Sequence, residues 1–309
     1  MFSNVSRSDD HRNRLCEFIR IEYGIESVGI APAKRGFYAE TWRLDSENKS
    51  YFLKLDYSPH QSIYERSFSV IEHLGNHGID FISRVVKTKN GDLSTRFDGA
   101  VLGMFDWIGG EHIETDETKI PEYNMLARVY QVPINNIYIS NEDFISKHVD
   151  KFYAQWDAID DERIKSLLEK RRALFEHRAI RLKLFSEKCR GDTTGFVITH
   201  GDAGGNLIKD GERYFLVDWD DPILAPPDRD AWVMCNRDWA RAAFHDALRQ
   251  HGIIYTLRPE RLAYYCYHFF FFYLTSFLES YKVSDIVQEL EDYIAGWIQD
   301  SFRYVDSIQ

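Results

Sequence analysis

Cysteine is scarce in this 309-residue chain: four residues, Cys16, Cys189, Cys235 and Cys266, lie far apart with no Cys-x-x-Cys pair. That spacing points away from a zinc site or a disulfide framework and suits a reducing, cytoplasmic setting. Basic charge is also in deficit, with 38 Lys and Arg against 49 Asp and Glu and a net charge of −11. Nucleic acid is therefore disfavoured as a partner, because binding it needs a basic face. A cationic ligand would be steered in by the same field, which also serves plain solubility. The opening stretch, MFSNVSRSDDHRNRL, lacks the apolar core of a secretion signal. An uncharged run, LAYYCYHFFFFYLTSFL over 262–278, is 17 residues long. It falls short of the roughly 20 apolar residues of a membrane span. It is expected as a buried core helix, so no membrane partner is expected. Internal repeats and low-complexity tracts are missing as well.

Apolar material is plentiful: 44% of residues are hydrophobic and 15% aromatic, enough to bury a large core. Residues 9–24 have helical spacing and end at Gly24. From Val28 to Leu55 the pattern becomes strand, turn, strand, turn, strand. In YFLKL, Tyr51, Leu53 and Leu55 face one way, and Phe52 and Lys54 the other. A helix is expected over 61–77, then strands in FISRVVKT, LSTRFDG and AVLGMFDWI, with a turn at Asn90–Asp92. Beyond Gly109 and Gly110 the spacing is helical over 117–131, 142–159, 161–189, 227–250, 258–281 and 283–304. FVITH, NLIKD and RYFLVDW interrupt it as short strands. The expectation is α+β: a small antiparallel-sheet lobe, 1–104, and a larger, mainly helical lobe, 105–309.

The block THGDAGGNLIKDGERYFLVDWDDP, 199–222, sets His200, Asp202, Asn206, Asp218 and Asp220 beside strands that read as buried. Ionised groups are costly beside such strands unless a cation neutralises them. Asp and Asn are hard oxygen donors suited to magnesium, and a carboxylate can deprotonate an attacking hydroxyl. HGDAGGN followed by LVDWD resembles the catalytic and metal-binding segments of the aminoglycoside phosphotransferases, which share a protein-kinase-like fold. VDWDDPILAPPDRD is most similar to the spectinomycin phosphotransferase branch. The resemblance spans residues ~30–235 and rests on several motifs in order.

It implies ATP and Mg2+ as cofactors, Asp202 as catalytic base, His200 as a brace of the catalytic loop, and Asn206 and Asp218 as metal ligands. Asp220 would be an auxiliary ligand, and Asp230 would tie the loop to the next helix. Relatives usually place four residues between the catalytic Asp and the metal-binding Asn; here only AGG intervenes.

The kinase-like pattern further implies Lys54 as the phosphate-facing lysine, paired with Glu65, or failing that Glu72, from the following helix. PAKRGFYAE, with its single Gly36, stands where protein kinases carry a glycine-rich loop. Gly36 is the candidate for phosphate contact, with Lys34 or Arg35 adding charge. Backbone groups near Asp106 and Ile108 would read the adenine edge, and Met104, Phe105 and Trp107 would wall it. The family acts on hydroxyls of small polyols and amines, often cationic antibiotics. The acceptor is therefore expected to be a small cationic molecule of aminoglycoside or aminocyclitol type, with resistance as the biological role. A metabolic kinase of amino alcohols or sugars, and a nucleotide-binding pseudoenzyme, are the alternatives. Acids at 150, 157, 160, 161, 279, 285, 289, 291 and 292 read mainly as solvated helix faces. His268 reads as a core histidine or, failing that, an acceptor contact.

Overall fold

The computed structural model describes residues 8–33, 39–57, 61–281, 285–297 and 299–308. In chain order the elements begin with α1 (Asp9–Tyr23), β1 (Gly29–Pro32), β2 (Ala39–Asp45), β3 (Ser50–Asp56) and α2 (Gln61–Asn76). Next come β4 (Thr95–Phe97), β5 (Ala100–Asp106), β6 (Glu111–His112) and α3 (Lys119–Val129). There follow α4 (His148–Ala158), α5 (Glu162–Glu169), α6 (Arg172–Cys189), β7 (Val197–Thr199), β8 (Leu207–Asp210), β9 (Arg213–Leu216) and β10 (Ile223–Ala225). The chain ends with α7 (Asp228–Ala231), α8 (Asp238–Gln250), α9 (Pro259–Ser280), α10 (Val287–Asp292), a π-helical turn at Tyr293–Trp297, and α11 (Gln299–Val305).

Two compact units result: residues 1–140 with 200–223, and residues 141–199 with 224–309. The boundary expected between residues 104 and 105 falls inside the first unit. That unit is built on an antiparallel five-stranded sheet of order β1-β2-β3-β5-β4. Both faces of the sheet are used, as the alternation in YFLKL demands. Leu53 and Leu55 join Trp42, Leu44, Leu102 and Met104 on one face, under Leu15, Ile19 and Tyr23 of α1. Each such aliphatic burial contributes about 1.5–3 kcal/mol. Sequence sets both ends of α1. The Ser8 hydroxyl accepts the His11 N–H, and Gly24, at φ 72°, lets the chain leave while its N–H returns to the Arg20 carbonyl.

The opposite face carries Thr41, Phe52, Lys54, Gly103 and Phe105. Thr41 and Gly103 flank Lys54 in register. The amphipathic helix α2 lies against this face. Phe68 is fully buried and packs on Phe105 and Tyr64, at centroid distances of 5.3 and 4.5 Å. Gly103 leaves the space into which the Phe68 ring fits: a Cβ there would lie 2.5 Å from the ring.

FISRVVKT does not become a strand of its own. Its Val86 N–H reaches the Met104 carbonyl and its Arg84 carbonyl takes the Asp106 N–H, leaving a single bridge, Val85 with Phe105. Phe81, Ile82 and Val85 are nonetheless buried. A second sheet, β6-β8-β9, holds the hairpin of the quoted block. The short β6 and β10 went unread in the sequence.

In the second unit α9 is the central helix. Tyr264, Tyr265, Tyr267, Phe270, Phe271, Leu274 and Leu278 are buried. Phe271 meets Phe152 of α4, and Phe270 stacks on Phe175 of α6. The tyrosines are tolerated because their hydroxyls find acceptors, as Tyr265 does on Glu142 at 3.0 Å and Tyr267 does on Asp306. Among the described residues no helix is long and apolar enough to cross a membrane. The stretches expected as single helices over 161–189 and 227–250 each break in two, at Lys170–Arg171 and across 232–237.

Several candidate acids have plain structural roles. Asp161 caps α5 and pairs with Arg163, which also binds Asp285, and Glu279 pairs with Lys151. His268 lies edge-to-face with His148, 5.0 Å away between centroids, and its Nδ1 is 3.3 Å from the Tyr264 hydroxyl. Burial presses these imidazoles down to about 3 and about 4, so both are neutral at pH 7.

Candidate active site

A cavity of about 350 Å3, within the size range of small-molecule sites, opens on the Lys54 face of the sheet. Its floor comes from Thr41, Phe52 and Lys54, one side from Ser67 and Ile71 of α2, and another from Phe105 to Ile108. The quoted block contributes Gly205, Asn206, Ile208 and the run Val217–Asp220. Strand alternation decides the walls. Phe105 and Trp107 line the cavity, whereas Met104, expected beside them, is paired with Leu53 and sits wholly in the opposite core. The correction follows from the two-residue period: Met104 belongs to the parity of Leu53, not that of Lys54.

Lys54 Nζ donates to Asp218 Oδ1 at 2.8 Å and to Asp220 Oδ2 at 2.5 Å. Its side chain is 9% exposed, while the two carboxylates are 44% and 50% exposed. The carboxylates are half-exposed and face the open cavity, with protein crowded around the recess behind them. Burial disfavours ionisation of Asp218, but the Lys54 ammonium outweighs it and holds this carboxyl below the usual range. Burial dominates at Asp220, which is pushed up to about 6; Lys54 opposes the shift and neighbouring Asp218 reinforces it. Burial would lower Lys54, and Asp220 and Asp218 together reverse this and raise it.

Glu65 and Glu72 do not reach Lys54. Glu65 pairs with Arg96 at 3.0 Å, and Glu72 pairs with Lys87 at 2.8 Å. The reason is helical phase. The stripe of α2 that faces the sheet is Tyr64, Ser67, Phe68 and Ile71, and Glu65 is one residue past it, about 100° around the helix. The Tyr64 ring, at 5.4 Å from Nζ, lies where the helix approaches the lysine. Ser67, Thr41 and Ile71 were missed in the sequence. Thr41 could have been found from its register opposite Lys54, and the other two from the helix stripe.

The loop before Asn206 is held from within. The Asp202 N–H donates to His200 Nδ1 at 3.2 Å, so Nε2 carries the proton and donates to the Val217 carbonyl at 2.9 Å. His200 is 2% exposed and packs on Trp219, 4.5 Å away between ring centroids. The imidazole thus ties the segment of Asp202 to the segment of Asp218. Asn206 Nδ2 donates to the Asp202 carbonyl at 2.6 Å and lies 3.5 Å from the Asp202 carboxylate. The Asn206 carbonyl accepts the Val217 N–H at 3.0 Å. Three residues suffice between Asp202 and Asn206 because Gly205 turns at φ 83°. Asp218 itself has φ 64°, a left-handed conformation that costs a non-glycine residue about 1–3 kcal/mol and recurs at functional sites. Asp202 is exposed and lies outside the cavity lining, whereas Asn206 is part of it.

Asp106 lines the cavity with its main chain already committed: its N–H donates to Arg84 and its carbonyl accepts from Ser83 Oγ at 2.6 Å. The Trp107 N–H goes to the Ser50 carbonyl, and the Ile108 main chain takes no part in these bonds. Gly36, Lys34 and Arg35 lie outside the described residues. The donor set fits a divalent cation. Asp218 and Asp220 share one ammonium, which leaves two carboxylates set against a single cation at the cavity, and Asn206 adds a neutral oxygen donor.

A family model, the phosphotransferase enzyme family (APH), matches residues 29–265. The chain belongs to that family. Among curated proteins no sequence matches this phosphotransferase. Its fold resembles that of a spectinomycin phosphotransferase solved with ADP and spectinomycin, with a TM-score of 0.71 and 21% identity over 96% of this chain and 94% of the other. An amicoumacin kinase solved with AMP-PNP, Ca2+ and its ligand gives a TM-score of 0.64 and 14% identity, over 100% and 97% of the two chains. Choline kinase from Streptococcus pneumoniae gives 0.62 and 14%, over 97% and 100%. The α+β, protein-kinase-like phosphotransferase fold expected from the motifs is therefore present, and the protein is a small-molecule phosphotransferase.

Proposed function

We propose that the protein transfers the terminal phosphoryl group of ATP, with Mg2+, to a hydroxyl of a small cationic molecule of aminoglycoside or aminocyclitol type. The observation that carries the reading is the convergence of Lys54, Asp218, Asp220 and Asn206 on one cavity of nucleotide-compatible size. Residues 1–104, with the adjoining Phe105–Ile108, carry the nucleotide, and the rest of 105–309 carries the catalytic groups and the acceptor. Lys54 holds the phosphates, and Asn206 and Asp218 hold the metal. Phe105 and Trp107 wall the purine, and the uncommitted Ile108 main chain reads its edge.

A divalent cation in such a site neutralises phosphate charge that would otherwise repel the incoming oxygen. Asp202 accepts the proton of the acceptor hydroxyl as its oxygen bonds to the terminal phosphorus. The bond from that phosphorus to the bridging oxygen breaks, and ADP leaves. His200 acts at one remove, by fixing Asp202 and Val217. The acidic surplus of the chain and the antibiotic ligands of the spectinomycin and amicoumacin enzymes support a cationic antibiotic acceptor. Resistance would follow from such a transfer, inside the cytoplasm where ATP is available.

The test is Mg2+-dependent ADP release with a panel of aminoglycosides, spectinomycin and amino alcohols. Turnover with an antibiotic acceptor, reduced at least 100-fold in Asp202→Asn, is expected. Transfer confined to choline-like or sugar acceptors would replace this reading with a metabolic kinase. Nucleotide binding without any transfer would replace it with a pseudoenzyme.

A further inference from the structure

Among the described residues Lys54 has two anionic partners, and neither comes from α2. We propose that Asp220 is the positioning residue that holds Lys54 for the nucleotide phosphates, which leaves Asp218 to the metal. The inference rests on the phosphotransferase reading and assigns Asp220 a role other than the auxiliary metal ligand that motif resemblance implies.

The two acids of α2 are engaged elsewhere, Glu65 with Arg96 and Glu72 with Lys87. Ser67, on the same stripe of α2, spends its hydroxyl on the Tyr64 carbonyl at 2.7 Å. A lysine that contacts phosphate needs an anion behind it to keep its long stem extended. That anion must be Asp218 or Asp220. Asp218 follows directly on Val217, whose N–H is bonded to the Asn206 carbonyl and whose carbonyl is bonded to His200. It is thereby fixed beside the other oxygen donor suited to a metal. Asp220 follows Trp219, which is anchored by its Nε1 bond to the Leu216 carbonyl at 3.0 Å and by the His200 ring. That anchor presents Asp220 to Lys54 at 2.5 Å. The lysine and the metal are thus positioned from one loop, and the orientation of Lys54 does not depend on the acids of α2.

The test measures binding rather than turnover. AMP-PNP is titrated calorimetrically into the full-length protein, in EDTA and at a series of Mg2+ concentrations. Asp220→Asn is expected to weaken AMP-PNP by about tenfold in EDTA and in Mg2+ alike, the equivalent of one charge-assisted hydrogen bond. The half-saturating Mg2+ concentration should stay within about twofold of wild type. Asp218→Asn should instead raise the half-saturating Mg2+ at least tenfold. Glu65→Gln and Glu72→Gln should leave AMP-PNP affinity within about twofold, and Asp220→Glu should recover part of the loss. Asp220→Ser reads the same contact if Asp220→Asn does not fold.

A rise in half-saturating Mg2+ for Asp220→Asn, with unchanged affinity in EDTA, would make Asp220 a metal ligand and overturn the inference. So would a tenfold loss in Glu65→Gln or Glu72→Gln. Wild-type protein that binds no AMP-PNP under any of these conditions would instead overturn the phosphotransferase site reading itself.

Discussion

Adding one methyl group at Gly103 tests how tightly α2 is seated on the cavity face of the sheet. The backbone at Gly103 is ordinary strand, so any effect of Gly103→Ala is steric rather than conformational. The new Cβ would lie 2.5 and 2.9 Å from two ring carbons of Phe68 and 3.0 Å from Phe105, where ordinary contact is 3.4–4 Å. The Phe68 ring must retreat by about an ångström, yet it is fully buried against Tyr64 and Phe105. Overpacking of this kind costs about 1–3 kcal/mol, and the lack of slack around the ring favours the upper half of that range. The retreat would carry α2 with it, so Ser67 and Ile71 would shift and AMP-PNP affinity should fall together with stability.

Chemical denaturation followed by tryptophan fluorescence measures the first effect and calorimetric titration the second. Phe68→Leu should relieve the clash, so the double variant should be more stable than the sum of the two single changes by at least about 1 kcal/mol. A Gly103→Ala protein within about 0.5 kcal/mol of wild type, or strict additivity with Phe68→Leu, would refute the reasoning.

Two further outcomes are expected. Lys119 and Glu122 form an ion pair at 3.0 Å with both side chains 4% exposed, and the carboxylate of Glu114 stands 3.7 Å from the same ammonium. Glu122→Leu should cost about 3 kcal/mol in denaturation, because it strands a buried charge that Glu114 only partly screens, and Lys119→Met in the same chain should recover most of it; a double variant no better than the single one would contradict this. Burial pushes Asp228 up to about 6, against the Tyr255 hydroxyl and the Arg258 N–H that hydrogen-bond it. Its native state therefore holds a proton that the unfolded chain releases, so its contribution to stability grows as pH falls through 6 and is complete below about 4. Asp228→Asn should remove a gain of at most about 3 kcal/mol between pH 7 and pH 4, and a variant whose pH profile tracks wild type would sink that account.

The strand period, the helix stripes and the ordered polar residues of the 199–222 block are local properties, and the sequence by itself determined them. Two-residue alternation put Leu53 and Leu55 in one core and Lys54 on the other face, as the sheet has them. An uncharged 17-residue run too short for a bilayer became the buried α9. The resemblance of HGDAGGN and LVDWD to phosphotransferase segments pointed to phosphoryl chemistry before any coordinate did.

The pairing of Lys54 was decided only in three dimensions. Two acids on the next helix were expected to serve, Glu65 first and Glu72 failing that, but a rotation of about 100° per residue turns Glu65 toward Arg96 and brings Tyr64 to the lysine. Met104 went to the core and Phe105 to the cavity because register with β3 fixes parity, and register is a property of two strands. FISRVVKT has strand composition, but it makes only scattered bonds to β5. Local spacing thus tells which residues share a face; only packing tells what that face meets, because a charge finds its partner through distances that adjacent residues do not encode.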